Sequence, residues 1–466
     1  MLTTLLIASA ASALAASVHP GAQFDASSYA AHDIIERDFA IIGGGASGTY
    51  AAVSLADQNK SFTLVEVKDR LGGNTRTYRD ESTGASLDIG VQLHLDIPIV
   101  RDFFERLNAP LAQFEMTDFG KPAYYDFTKK LALPNHTRPS IEGDYVALLS
   151  KYPFLDDLNA LPEQVPEDLL LTWPEFAKKE NLSAGSAEAG LLWPASPGNL
   201  LETTALAILN DGNHIELQEG TDAVRSATHY NAEIYDNALA ELKEHILLES
   251  SIVAAQRGSR RSDGVKLVAK TPTGRKLIKA KQLIIAMPPV LDNTKYFGLD
   301  HQEHDILSKL SGKHYYAGVV NNTGLEAGVA YTNVGANRPL HVASIPGVVE
   351  IAGTGSPGYF FYWYNSVKPQ TQEEIEDATR STIKWLQKQA NGTATEPTFQ
   401  DFQDYSPFHL SPPVEDIADG WYSKMKELQG HRNTWYISAL FVVGSTQLWN
   451  NTANMLPDII DAAKLC

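Results

Sequence analysis

The order of apolar and polar positions divides the chain into alternating strand and helix signals. Phe39-Ala40-Ile41-Ile42 is apolar throughout, as expected of a strand buried on both faces. It breaks into a glycine-rich turn, a helical pattern runs from Thr49 to Gln58, and Phe62-Thr63-Leu64-Val65-Glu66 reads as a second strand. From about residue 95 to 200 the pattern turns helical and is punctuated by Pro98, Pro110, Pro134, Pro153 and others, which predicts an inserted helical region. A helix is predicted from Ala232 to Glu244. Strands follow at Leu247 to Ala254, Gly264 to Ala269 and Leu283 to Ala286, the last stopped by Met287-Pro288-Pro289. Residues 310–365 are β-rich and aromatic, Gln372 to Ala390 is helical, and Thr434 to Leu440 is a strand followed by a turn and a helix from about Ala453.

The turn carries chemistry. Gly43-x-Gly45-x-x-Gly48 sits between the first strand and the helix, and Glu66 follows Gly48 by 18 residues. Gly43 permits the tight turn, Gly45 lets the backbone approach a pyrophosphate, and Gly48 lets the helix pack on the sheet. The helix N-terminus offers unpaired N–H groups to phosphate, and Glu66 accepts from two ribose hydroxyls, which favours a dinucleotide without a 2′-phosphate. The Ser47 hydroxyl is placed to meet a phosphate oxygen; it lies in Gly-Ala-Ser-Gly, so it is not a nucleophile elbow. The fold class is therefore α/β: a Rossmann-like domain built from residues 36–94, 205–289 and 430–466, with a mixed α+β second domain from 95–204 and 290–429.

Composition narrows the partners. Among 466 residues, 43% are hydrophobic and 20% charged, and the net charge of −18 argues against nucleic acid or an anionic membrane surface. Cys466 is the single cysteine, which excludes an intrachain disulfide, a cysteine nucleophile and a cysteine zinc site. Residues 1–16 read as a secretory signal peptide, too short to span a bilayer. Asn-x-Ser/Thr acceptors at Asn59, Asn135, Asn181, Asn321, Asn391 and Asn450 accord with export into the secretory lumen and with N-glycans. Arg257, Arg260 and Arg261 read as a solvated hairpin loop, and His301-Gln302-Glu303-His304 as an exposed turn; no metal-ligand set is evident.

The order of motifs resembles the flavin-containing amine oxidase superfamily over nearly all of the chain. Arg70-Leu71-Gly72-Gly73 matches its Arg-x-Gly-Gly-Arg segment, with Asn74 where the second arginine is usual. Asp88-Ile89-Gly90 matches the segment passing beside the isoalloxazine. Ile252-x-x-Ala255-x-Arg257 resembles the strand whose backbone contacts adenine, and Ala286-Met287-Pro288-Pro289 the crossover to the substrate domain. Within the superfamily, residues 43–52, the run 88–92 and the leader look most like fungal beta-cyclopiazonate dehydrogenase relatives. The resemblance implies a secretory-pathway FAD enzyme of secondary metabolism that takes a hydride from a small-molecule substrate, with or without cyclisation, and uses molecular oxygen or another acceptor. The lone terminal thiol points to FAD held without a covalent link. The resemblance assigns cofactor contacts to Gly43, Gly45, Ser47, Gly48, Glu66, Arg70, Gly72, Gly73, Asn74, Gly90, Val91, Gln92 and Ile252.

At the C-terminus the chain departs from the superfamily. Ser438-Ala439 and Trp449-Asn450-Asn451-Thr452 stand where a Gly-Asp or Gly-Glu pair and a glycine-rich turn are usual. A helix starting there would aim the Asn451 and Thr452 amides at the flavin pyrimidine and put a sugar on Asn450 in conflict with the cofactor. Gln92 and His94, on one side of a strand after Asp-x-Gly, are the candidate catalytic pair; a satisfied polar pair near the domain boundary is the alternative. Tyr359 to Tyr364, Tyr315 and Tyr316 could line a cavity or simply pack a sheet, and Trp435 and Tyr436 share that ambiguity. Two rivals remain: an amine or amino-acid oxidase releasing peroxide, and a binding protein that keeps the fold without using flavin.

Overall fold

The computed structural model describes residues 22–465 except 115–118, 138–139, 190–197, 214–216, 218–222 and 391. The leader and the Asn391 acceptor lie outside the described residues. Strand β1 (Ile34–Ile42) runs parallel to β2 (Phe62–Val65) on one side and to Gly274–Ile285 on the other. Ile246–Leu247 extends the sheet beyond β2, and Thr434–Tyr436 adds a parallel strand to the far half of Gly274–Ile285. The near half of that long strand instead starts an antiparallel meander with Val265–Thr271 and Ser251–Arg257. Ile42 registers with Val65 and with Ile285, and Ile285 with Tyr436. The parallel strands therefore end level, and Gly43, Glu66, Ala286 and Ile437 follow at one rim. That rim is where ligands bind in open parallel sheets.

Period-two alternation assigns the two faces. Phe39, Ile41, Leu64 and Ile284 pack under helix α1 (Ala46–Asp57) and the helices Pro98–Arg106, Glu233–Leu242 and Ser445–Lys464. Ala40, Ile42, Val65 and Ile285 face the meander and the helices Gly143–Lys151, Trp173–Lys179 and Ala205–Asp211. Each such Ile or Leu, fully buried, contributes roughly 1.5–3 kcal/mol.

The second sheet runs Thr398–Asp404, Ser311–Asn321, Tyr359–Ser366, Gly347–Gly353, Val329–Asn333, Lys121–Asp126 and Leu131–Ala132. Lys121–Asp126 pairs parallel with Val329–Asn333, so both insertions share one sheet. Helix Gln372–Gln389, opened by a Thr371–Glu374 capping box, covers one face through Ile375, Ile383 and Leu386.

Packing moves several expected boundaries. Pro98–Arg106 lies in the nucleotide-domain core through Val100, Phe103 and Phe104, so the first insertion begins later than residue 95. Ala205–Asp211 packs instead with Tyr145, Trp173 and Phe176 of the helical insertion. Leu247 to Ala254 is two strands, Ile246–Leu247 and Ser251–Arg257, rather than one. The stretch containing His301–His304 is no turn: it begins the helix His301–Leu307, capped by Asp300, with the histidines exposed and Glu303 fully buried. Arg257 is not solvated either. Its guanidinium is buried on the Glu303 carboxylate, which also accepts from Arg432 Nη1 (3.2 Å) and the Tyr436 hydroxyl (3.1 Å). The acidic partner was hidden because Arg257 and Glu303 meet only through tertiary structure.

Candidate functional site

The glycine turn closes as its sequence demands. Gly43 has φ +104°, and a Cβ there would meet the Met287 amide nitrogen at 3.0 Å. A Cβ on Gly48 would sit 1.9 Å from the Gly43 carbonyl oxygen, so α1 can pack on the turn only with glycine there. Gly45 caps α1 with no side-chain hydrogen bond, leaving the first-turn N–H groups to an outside acceptor. The second glycine loop comes down on the first: a Cβ on Gly73 would stand 2.9 Å from the Gly45 Cα. Arg70 ties that loop together by donating to the carbonyls of Leu71 (3.1 Å), Gly73 (3.0 Å) and Thr75 (2.8 Å). Its guanidinium is thus committed to the loop backbone. Asn74 is exposed at the loop tip, while Ser47 is buried in the first turn of α1.

Glu66 is 6% exposed and held at the turn by two backbone donors, Gly44 N–H (2.6 Å) and Lys68 N–H (2.8 Å). Each carboxylate oxygen keeps a further lone pair for a ribose hydroxyl. The Ser250 amide donates to the Glu66 carbonyl at 2.9 Å, which brings the strand start and Ile252 close to the same place.

The Asp88–Gln92 segment is pinned on both flanks. Asp88 is buried and accepts from the Thr77 hydroxyl and from the Asn231 amide (3.0 Å). Burial pushes its carboxyl up to about 6. Asn231 Nδ2 donates to the Val91 carbonyl (3.1 Å), and Gln92 Nε2 to the Asp88 carbonyl (3.0 Å). Gly90 is required: a Cβ there would lie 1.7 Å from the Asn74 carbonyl oxygen and 2.8 Å from the Tyr405 hydroxyl.

That hydroxyl is a feature the sequence did not disclose. Tyr405 is buried, its oxygen lacks a hydrogen-bond partner among the described residues, and burial holds the phenol well above its ordinary range, so it remains a proton donor. It stands with Tyr315, Phe361, Trp363 and Ile89 in one apolar cluster, with Phe119 and Phe408 against its edge. The strand Tyr359–Ser366 divides as period two requires. Tyr359, Phe361 and Trp363 join this cluster, whereas Phe360, Tyr362 and Tyr364 join the opposite one with Tyr316 and the helix Gln372–Gln389. The only signal for Tyr405 was its place beside Pro407 and Phe408 after a β segment, too weak to single it out.

Several expected site residues lie elsewhere. His94 is fully buried, stacked on Trp449 (5.0 Å, 21°) and edge-on to Phe104, with Nδ1 3.1 Å from the Ser445 hydroxyl. Burial pulls its pKa down to about 3, so it is a neutral core ring and not a group facing substrate. Gln92 precedes the two-residue strand His94–Leu95 and lies outside it. The C-terminal helix starts at Ser445 rather than near Ala453, because Gln447 Oε1 accepts from the Val443 and Gly444 amides (both 3.1 Å) and caps it early. Asn451 and Thr452 consequently sit inside the helix: Asn451 accepts from Asn159 (2.7 Å), and Thr452 donates to the Leu448 carbonyl (2.7 Å). Asn450 is exposed on that helix. Tyr436 belongs to the Arg257–Glu303 network, and Trp435 donates to Gln282 (2.9 Å).

Residues 41–107 match the NAD(P)-binding Rossmann-like domain family. Across 94% of both chains, the protein is 49% identical to the FAD-dependent oxidoreductase dbaF of Emericella nidulans. It is 37% identical to FAD-dependent oxidoreductase pigF of Monascus ruber, over 99% of each. Beta-cyclopiazonate dehydrogenase of Aspergillus oryzae is 30% identical, over 91% of this chain and 93% of its own. The protein belongs to this family of FAD-dependent oxidoreductases. Among solved structures, a fatty acid isomerase from P. acnes that produces CLA superposes with a TM-score of 0.70 at 17% identity, over 91% of this chain and 98% of that one. Cyclohexylamine oxidase from Brevibacterium oxydans gives 0.64 at 16%, over 92% and 99%. These two show a shared fold. The residues of the FAD-dependent oxidoreductase fit its cofactor: an uncapped helix start, two glycine loops in contact, a fixed carboxylate, and the buried Ser438 hydroxyl, without a partner, just past the strand rim.

Proposed function

We propose that this FAD-dependent oxidoreductase removes a hydride from an activated carbon of a bulky, largely apolar secondary-metabolite intermediate. The observation that supports this is the buried aromatic cluster of Tyr315, Phe361, Trp363 and Tyr405, packed with Ile89 and with the Tyr405 hydroxyl beside Gly90. FAD, bound without a covalent link, supplies the hydride acceptor. The chain's own residues orient the donor carbon and exclude water, which shortens the search for a reactive geometry. The Tyr405 phenol, still protonated at neutral pH, donates a hydrogen bond to a polar group of the bound substrate. Gln92 lies beside the same segment and orients the substrate rather than exchanging protons. Molecular oxygen is the proposed electron acceptor. The secretory lumen is the proposed compartment, with glycans on the exposed acceptors Asn59, Asn135, Asn181 and Asn450; among the described residues no helix is long and apolar enough to cross a membrane.

The test is anaerobic flavin bleaching at 450 nm with a panel of substrates. The panel holds simple amines, amino acids and polycyclic or prenylated aromatic intermediates. Rapid bleaching by the aromatic compounds alone is the expected result. Bleaching by simple amines, with peroxide on readmitting air, would replace this reading with that of an amine oxidase.

A further inference from the structure

A second constellation, made of residues other than those of the glycine turn and the aromatic cluster, lies on the proposed substrate domain. His136 follows the hairpin formed by Lys121–Asp126 and Leu131–Ala132. Glu188 is on the helix Ala184–Ala189, and His341 ends the short helical turn Pro339–His341. One donor atom from each lies within 4.8 Å of those of the other two. His136 Nε2 and Glu188 Oε1 are buried and face each other 3.5 Å apart, yet neither takes part in a hydrogen bond among the described residues. His341 Nδ1 stands 2.9 Å from Glu188 Oε2.

Two buried polar atoms left facing each other cost free energy unless something satisfies both. Neutral imidazole nitrogens and a carboxylate oxygen are donors that a borderline divalent cation accepts together. Bonds of about 2.0–2.2 Å at tetrahedral angles place adjacent ligand atoms about 3.3–3.6 Å apart, and the 3.5 Å between His136 Nε2 and Glu188 Oε1 falls in that range. The rings are also held. His136 stands edge-on to Tyr124 (4.6 Å) and to His341 (4.9 Å). Leu340 and His341 both adopt left-handed backbone (φ +50°), a conformation that non-glycine residues keep where the surroundings demand it.

We propose that His136, Glu188 and His341 bind a zinc-type divalent cation that ties the helical insertion to the strand-rich one. The side chain of His341 is 44% exposed, against 12% for the other two, so the fourth coordination position opens to water. The role is structural in the first place: one ion joins three separate segments.

The experiment uses untagged, FAD-loaded protein stripped with a chelator and then given zinc sulfate alone. Metal analysis after gel filtration should find about one zinc per chain, and thermal melting followed by flavin fluorescence should shift upward on adding zinc. Glu188→Gln, His341→Ala and His136→Ala should each weaken zinc affinity by at least about tenfold while the flavin absorbance is retained. His341→Ala, altered at the exposed edge, remains informative if the change at His136 prevents folding. Zinc bound well below one per chain, or bound equally by wild type and His341→Ala, would overturn the assignment.

Discussion

The glycine turn and the proposed substrate wall are built from different materials. The turn is made of backbone: two glycine loops, a helix start and a carboxylate fixed by Gly44 and Lys68 amides. The proposed substrate wall is made of side chains brought from remote strands, with Tyr315, Phe361, Trp363 and Tyr405 meeting beside Ile89. Backbone sites tolerate almost no change in the residues that shape them, because a single Cβ meets main chain that cannot move aside. A wall of side chains can be rebuilt residue by residue, so one cofactor site can serve different substrates.

The sharpest way to break this comparison is at the turn. Gly48→Val places a Cβ 1.9 Å from the Gly43 carbonyl, so the purified protein should be colourless, with FAD content near zero by absorbance. A yellow, stoichiometrically loaded variant would mean that the backbone end is as forgiving as the other. Next comes the buried pair behind the sheet. Glu303→Gln leaves Arg257 buried without its countercharge and should cost about 3–5 kcal/mol in urea unfolding; a loss below about 1 kcal/mol would show that Arg432 and water redistribute around it. At the substrate end, Tyr405→Phe should keep full FAD content yet slow flavin reduction by about tenfold to a hundredfold. An unchanged rate would reduce that phenol to a piece of wall.

The smallest effects are in acid. His94 is held neutral by burial, with a pKa drawn down to about 3 from an ordinary 6.5. Its contribution to stability is complete above pH 6.5 and is lost as pH falls toward 3, because the unfolded chain takes up the proton first. Asp88 has the opposite sign: raised to about 6 from 3.8, it makes stability decline as pH rises from about 4 to 6. His94→Phe should flatten the first slope and Asp88→Asn the second in melting curves between pH 4 and 7. Parallel curves for wild type and either variant would contradict the assigned burial effect.

How much could be read in advance follows the same division. Gly43, Gly45, Gly48 and Glu66 were legible because a short stretch of chain performs the whole task, and local spacing encodes it. The Asp88-Ile89-Gly90 segment could be singled out only through its resemblance to the superfamily, because no spacing rule marks it. His94 was misread because alternation states which side a residue takes, not whether that side opens to a cleft or to Trp449 and Phe104. Asn451 and Thr452 were misplaced because Gln447 caps its helix from within and starts it early. Arg257, Glu303 and Tyr405 depend on partners hundreds of atoms away along the chain, and no local pattern marks them.

The threading of the parallel sheet sets an order of events during synthesis. Strand β1 meets β2 soon after it emerges, but its other neighbour is the remote Gly274–Ile285, and the rim is finished only by Thr434–Tyr436 and the helix Ser445–Lys464. A nascent chain on the ribosome therefore lacks a finished rim for the coenzyme until those segments have emerged. A polypeptide cut short of Thr434 would be left without that part of the rim and should not acquire colour.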